Sequence, residues 1–118
     1  MTSNNISFAT SDGLRARATF DVEKSSFVVA LETLDRSNFI VYSLDRANFA
    51  SWLEKSASPQ PVELPESRGV SGKIGNHAGS LMLQLNSTEK TPLMLSLTPE
   101  QTTLFEAFIK FGASVMFK

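Results

Sequence analysis

Arg15 and Arg17 alternate with Ala16, Ala18, Phe20 and Val22 across residues 14–22. Period-two alternation means a strand with one buried side, so both guanidiniums share the other side. Val28, Phe39, Val41, Ser71, Lys73, Met82, Gln84 and Met94 take outward positions of the same kind along later apolar runs. Cations follow phosphates, while flat or soft apolar side chains pack on bases. Arg15, Arg17, Phe39, Lys73 and Met82 on an outward sheet face therefore form a candidate groove for single-stranded DNA or RNA, with little sequence preference. The same mixture also suits a protein-interaction or regulatory module with no nucleic-acid affinity, because exposed apolar patches mark partners in general. Solvated charge on an ordinary strand face is the plainest reading of the arginines.

Other chemistries find few residues to use. The single histidine, His77, lies in the turn-like run Gly75-Asn76-His77-Ala78-Gly79, which is hairpin composition. Glu63 and Glu66 fall in a proline-rich stretch, Asp21 and Glu23 at a turn, and neither pair converges on His77. Acid–base catalysis needs a positioned carboxylate pair or an oriented histidine, so no enzyme and no catalytic residue is expected. With no cysteine and one histidine, neither a disulfide nor a metal centre is expected. Gly69, Gly72, Gly75 and Gly79 do not spell a phosphate-binding fingerprint, so no cofactor is implied.

The elements that must hold the outward residues come in two similar sets. Residues 27–55 read strand, polar turn, strand ending in Ser43-Leu44, then helix; residues 81–110 repeat the plan through Ser96-Leu97. Asp45 caps the first helix, with Leu44 and Phe49 spaced as a hydrophobic staple and Phe49, Trp52 and Leu53 on one face. In the second, Thr98 caps, Pro99 takes the first helical position and Gln101 completes a capping box. Leu104, Phe105, Phe108 and Ile109 form the expected buried stripe, and Gly112 is placed to end the helix. Trp52 and Tyr42 are expected inside, the tyrosine hydroxyl reaching the sheet edge.

This order predicts an α+β fold, a tandem repeat of antiparallel strands followed by a helix, with the helices on one face of the sheet. Residues 1–118 form one domain of two halves, about 1–55 and 69–118, joined by a Pro-rich linker over 56–68. Residues 113–117 read as a final strand or an ordered tail; as a strand, their edge offers a two-fold contact for a homo-oligomer.

At 118 residues the chain supports a real core, and a hydrophobic fraction of 42% with 9 Phe argues against disorder. Eleven Lys plus Arg against twelve Asp plus Glu give a net charge of −1, so a basic excess does not advertise a nucleic-acid partner. No run approaches a membrane span and MTSNNISFATSDG carries no secretory pattern, so the cytoplasm is the expected compartment, with no membrane partner.

The tandem strands-then-helix layout, each helix launched by Ser-Leu-Asp or Ser-Leu-Thr-Pro-Glu-Gln, resembles the Whirly and Pur group of single-stranded nucleic-acid-binding proteins over about residues 14–112. The lysine-rich strand motif of the Whirly family is not visible. The resemblance implies strand binding across the exposed sheet and assembly into pairs or higher oligomers.

Overall fold

In the computed structural model, residues 3–117 are described, and the apolar alternation becomes eight strands and two helices. The first half comprises β1 (Ser3–Ala9), β2 (Leu14–Asp21), β3 (Ser26–Thr33), β4 (Phe39–Ser43) and α1 (Arg46–Lys55). The second comprises β5 (Val62–Ser67), β6 (Val70–His77), β7 (Ser80–Ser87), β8 (Lys90–Ser96) and α2 (Pro99–Met116). Each half is an antiparallel four-stranded meander in sequence order followed by a helix, so the expected α+β repeat is present as two sheets rather than one.

Segment 56–68 is not merely a linker, because β5 lies within it. Pro65 cannot donate to a ladder, and it is accommodated on an edge strand where the pairing with β6 is irregular between Leu64 and Ser67. The β5–β6 and β6–β7 connections are two-residue turns, Arg68-Gly69 and Ala78-Gly79, with positive φ at all four residues (52°, 80°, 53° and 86°). That geometry matches the twist of the strands it joins. His77 is thus the exposed last residue of β6, opposite Ser80.

Both helices begin as their capping residues dictate. Asp45 accepts the Asn48 N–H while the Asn48 side chain accepts the Asp45 N–H, and Thr98 and Gln101 make the same reciprocal pair. The helices then exchange partners. α1, which follows the first sheet, packs on β5 and β6 of the second; α2, which follows the second, packs on β1 and β2 of the first as well as on β7. One hydrophobic cluster results, drawing Ala16, Phe20, Val29 and Tyr42 from one half and Ile74, Leu83, Leu95, Phe105 and Ile109 from the other. Trp52 is 1% exposed, between Tyr42 and Phe105. The Tyr42 hydroxyl donates to the Pro65 carbonyl at 2.7 Å, tying β4 to β5.

Three details of the helices differ from expectation. Residues 113–116 continue α2, so there is no strand and no edge over 113–117. Gly112 does not end the helix: it is buried inside it, directly under the rings of Phe20 and Phe27. The buried stripe of α2 is Thr102, Phe105, Ile109 and Gly112, which leaves Leu104 57% exposed, while Leu53 of α1 is 39% exposed. Among the described residues no helix is long and apolar enough to cross a membrane.

Candidate nucleic-acid interface

The alternation in β2 turns Arg15 and Arg17 away from the core, and strand register decides what stands beside them. Arg15 lies between Ala9 of β1 and Glu32 of β3, and Glu32 is opposite Phe39 of β4. One row along, Arg17 lies between Ser7 and Ala30, and Ala30 is opposite Val41. Arg15, Arg17, Ala30, Glu32, Phe39 and Val41 line a shallow hollow of about 180 Å³. Three of the sequence-derived residues, Arg15, Arg17 and Phe39, are therefore together on the outer face of the first sheet.

Their availability differs. The Arg15 guanidinium stands 3.7 Å from the Glu32 carboxylate, a half-exposed pair that solvent screens. Arg17 is exposed and makes no ion pair among the described residues. Phe39 is 50% exposed, an unusual state for a phenylalanine at the start of a strand.

Lys73 and Met82 occupy the outer face of the second sheet. Lys73 lies between Glu63 and Gln84, and Gln84 is opposite Met94; Met82 lies between Gly75 and Ser96. A small hollow of about 50 Å³ is lined by Pro61, Lys73, Met82, Leu83, Gln84 and Met94. Met82 is half-buried whereas Met94 is 59% exposed, so Met94 is the more accessible methionine. The five expected residues thus divide between two sheets instead of lining one groove. The reason is the break between β4 and β5, where α1 intervenes and the ladder does not continue.

Lys90 brings the two faces into contact. It opens β8 opposite Ser87, where the pairing with β7 is irregular and the alternation of Leu93, Met94 and Leu95 is broken. Its ammonium lies 3.9 Å from the Phe39 ring centroid and donates to the Phe39 carbonyl at 2.6 Å. The Asn38 amide donates to the Thr91 carbonyl at 2.9 Å in the same junction. Beyond Phe39 a second hollow of about 430 Å³ is lined by Arg36, Ser37, Asn38, Phe39, Glu89, Lys90 and Thr91. Phe39 accordingly stands between two hollows, with Arg15 and Arg17 on one side and Arg36 and Lys90 on the other.

Sequence reading missed Lys90 because it was absorbed into the Ser87–Thr91 turn, and the irregular pairing at the start of β8 left no alternation to reveal it. Carboxylates temper the positive field. Hydrogen bonds from the Ser37 side chain and backbone hold the Asp35 carboxyl down to about 2, so it stays ionised beside Arg36. Among the described residues no three of His, Asp and Glu gather as metal ligands. A hollow of about 550 Å³ at the start of α1 mixes Lys24, Arg46 and Arg68 with Asp45 and Glu66 and shows no single charge preference. No protein-family model, curated protein or solved structure matches this chain.

Proposed function

We propose that this chain binds single-stranded nucleic acid, with little sequence preference, on the outer faces of its two sheets. The observation that carries the reading is Phe39: a half-exposed aromatic ring at the junction of the sheets, flanked by Arg15 and Arg17 on one side and by Arg36 and Lys90 on the other. A base stacks on a ring regardless of its identity, and cations on both sides follow the backbone in and out. Lys73 and Met94 extend the track along the second sheet. The repeated order of four strands and a helix also supports the Whirly- and Pur-like reading.

The test is fluorescence anisotropy of labelled single-stranded DNA and RNA oligonucleotides, titrated at low and near-physiological salt. Three or four phosphate contacts would make log K fall against log salt with a slope of about −2 to −3. A flat titration at low salt would refute the proposal. The exposed Met94 and Phe39 would then mark a surface for a protein partner instead.

A further inference from the structure

A sheet edge is a template for another chain, and proteins guard edges with prolines, charges, bulges or covering side chains. Three of the four edges here are guarded. On β4, the Phe39 carbonyl accepts Lys90, and the Ser43 carbonyl accepts the side chains of Asn48 and Ser67. On β5, α1 packs against the strand, Pro65 interrupts it, and the Glu63 and Pro65 carbonyls accept Lys55 and Tyr42. On β8, Pro92 and Lys90 lie in the strand and the Thr91 carbonyl accepts Asn38. β1 has only one of these devices, a long contact from Gln101 of α2 at its last residue. Its sequence SNNISFA contains no proline and no charge, and its register with β2 is regular throughout.

The open groups of β1 can be assigned. Thr10 donates to the Leu14 carbonyl, so antiparallel alternation turns Asn4, Ile6 and Phe8 toward β2. The N–H and C=O groups of Asn5, Ser7 and Ala9 then point out of the sheet. The Ala9 carbonyl does face outward, where Gln101 of α2 reaches it at 3.4 Å. No other side-chain bond to β1 occurs among the described residues.

An apolar ridge runs beside this edge. Leu104, Phe108, Phe111 and Val115 recur at helical spacing along one flank of α2, with Leu104 57% and Phe111 55% exposed. The opposite flank belongs to the second sheet, where Thr102 accepts the Leu81 N–H. The ridge flank belongs to the first sheet: Phe108 and Phe111 both meet Phe20 of β2, and Phe8 of β1 meets Phe105.

We infer that β1 pairs with β1 of a second copy of this chain, antiparallel about a two-fold axis, with the α2 ridges of the two copies meeting over the joined edge. A two-fold contact presents the same patch on both sides, so the patch must tolerate itself. An uncharged strand beside an uncharged ridge sets no like charges opposite one another. A heterologous partner would have no such reason to find both features neutral. Two seven-residue strands and one flank of each α2 make a small interface, at the low end of specific association. The dimer is therefore a weak one that forms at high chain concentration.

Sedimentation velocity from low micromolar to several hundred micromolar chain tests this directly. The expected result is a weight-average mass that climbs toward two copies. Ser7→Pro removes an outward donor without touching the β2 ladder, and Leu104→Lys charges the ridge at an exposed position. Each is expected to weaken the dimer at least tenfold while the far-UV spectrum is unchanged. If Ser7→Pro perturbs the fold, Leu104→Lys decides alone. A monomer at every concentration, or a dimer that Leu104→Lys leaves intact, would overturn the inference.

Discussion

Replacing Gly112 with alanine sets two effects of known sign against each other. In an open helix the change gains about 1 kcal/mol, because glycine loses more backbone freedom on folding. Here the new Cβ would stand 2.5 Å from Cε2 and 2.9 Å from Cζ of Phe27, and 2.9 Å from Cδ1 of Phe20. Comfortable carbon–carbon contacts are about 3.5–4.0 Å, so the shortfall is near 1 Å on two rings. Neither ring has room to yield: Phe27 also contacts Phe49 and Phe117, and Phe20 contacts Phe108 and Phe111. Overpacking costs about 1–3 kcal/mol, and a clash on two confined rings falls in the upper half, about 2–3 kcal/mol, so the net loss is about 1–2 kcal/mol once about 1 kcal/mol of propensity is subtracted. For a chain of this length that is a fall in Tm of about 4–8 °C. Urea unfolding is the assay, read by the fluorescence of the single, buried Trp52. Adding Phe27→Leu removes two of the three clashing atoms, the nearest among them, so in that background Gly112→Ala should cost at least about 1 kcal/mol less. A Gly112→Ala chain as stable as the parent would refute the packing argument.

Reversing Arg15 and Arg17 together to Glu should weaken oligonucleotide binding by more than tenfold and reduce the salt slope by about 1–1.5; unchanged affinity would remove the first sheet from the site. Phe39→Ala should cost about 1–3 kcal/mol of binding, as expected for a lost stacking platform, whereas Phe39→Tyr should bind like the parent in the same anisotropy titration. Burial, with the Asp45 charge adding to it, pushes the Tyr42 phenol up to about 12 from an ordinary 10.0. The folded state therefore holds this proton more tightly than the unfolded one. Its contribution is complete below pH 10 and is lost as pH rises through 12. Because Tyr42 is the only tyrosine, phenolate absorbance should appear only near pH 12 or together with unfolding. Tyr42→Phe should lose about 1 kcal/mol through the missing bond to Pro65.

Local rules carried much of this fold in plain view. The alternation of β2 and the capping residues Asp45, Thr98 and Gln101 depend only on near neighbours, and each element begins or faces as those neighbours dictate. What the sequence concealed depends on distant packing. Residues 62–67 look unlike a strand because Pro65 is tolerated only on an edge, and nothing local says that β5 is one. Gly112 has the look of a helix end, yet it is required by rings from β2 and β3. Leu104 and Leu53 have the apolar character of core residues but miss the inward arc, which the position of the opposing sheet decides. The candidate site was legible one sheet at a time: parity alone places Arg15, Arg17 and Phe39 outward. Lys90 became visible only once β4 and β8 were seen to meet.

The exchange of helices between the halves bears on how such a chain folds and how it arose. A sheet whose own helix covers it could consolidate early from nearby residues. Here α1 finds its sheet only after β5 and β6 have formed, and the inner face of β2 waits for the eighteen residues of α2. Long loops must close before either sheet is covered, which favours slow, all-or-none folding over sequential growth. A half made alone would leave much of one sheet face bare while its helix kept only part of its packing, as Phe49 and Trp52 of α1 do on Phe27 and Tyr42. Two such halves, free in solution, would complete each other by trading helices. The covalent repeat then amounts to a domain-swapped pair whose partners have been joined end to end, with β5 as the first element past the seam.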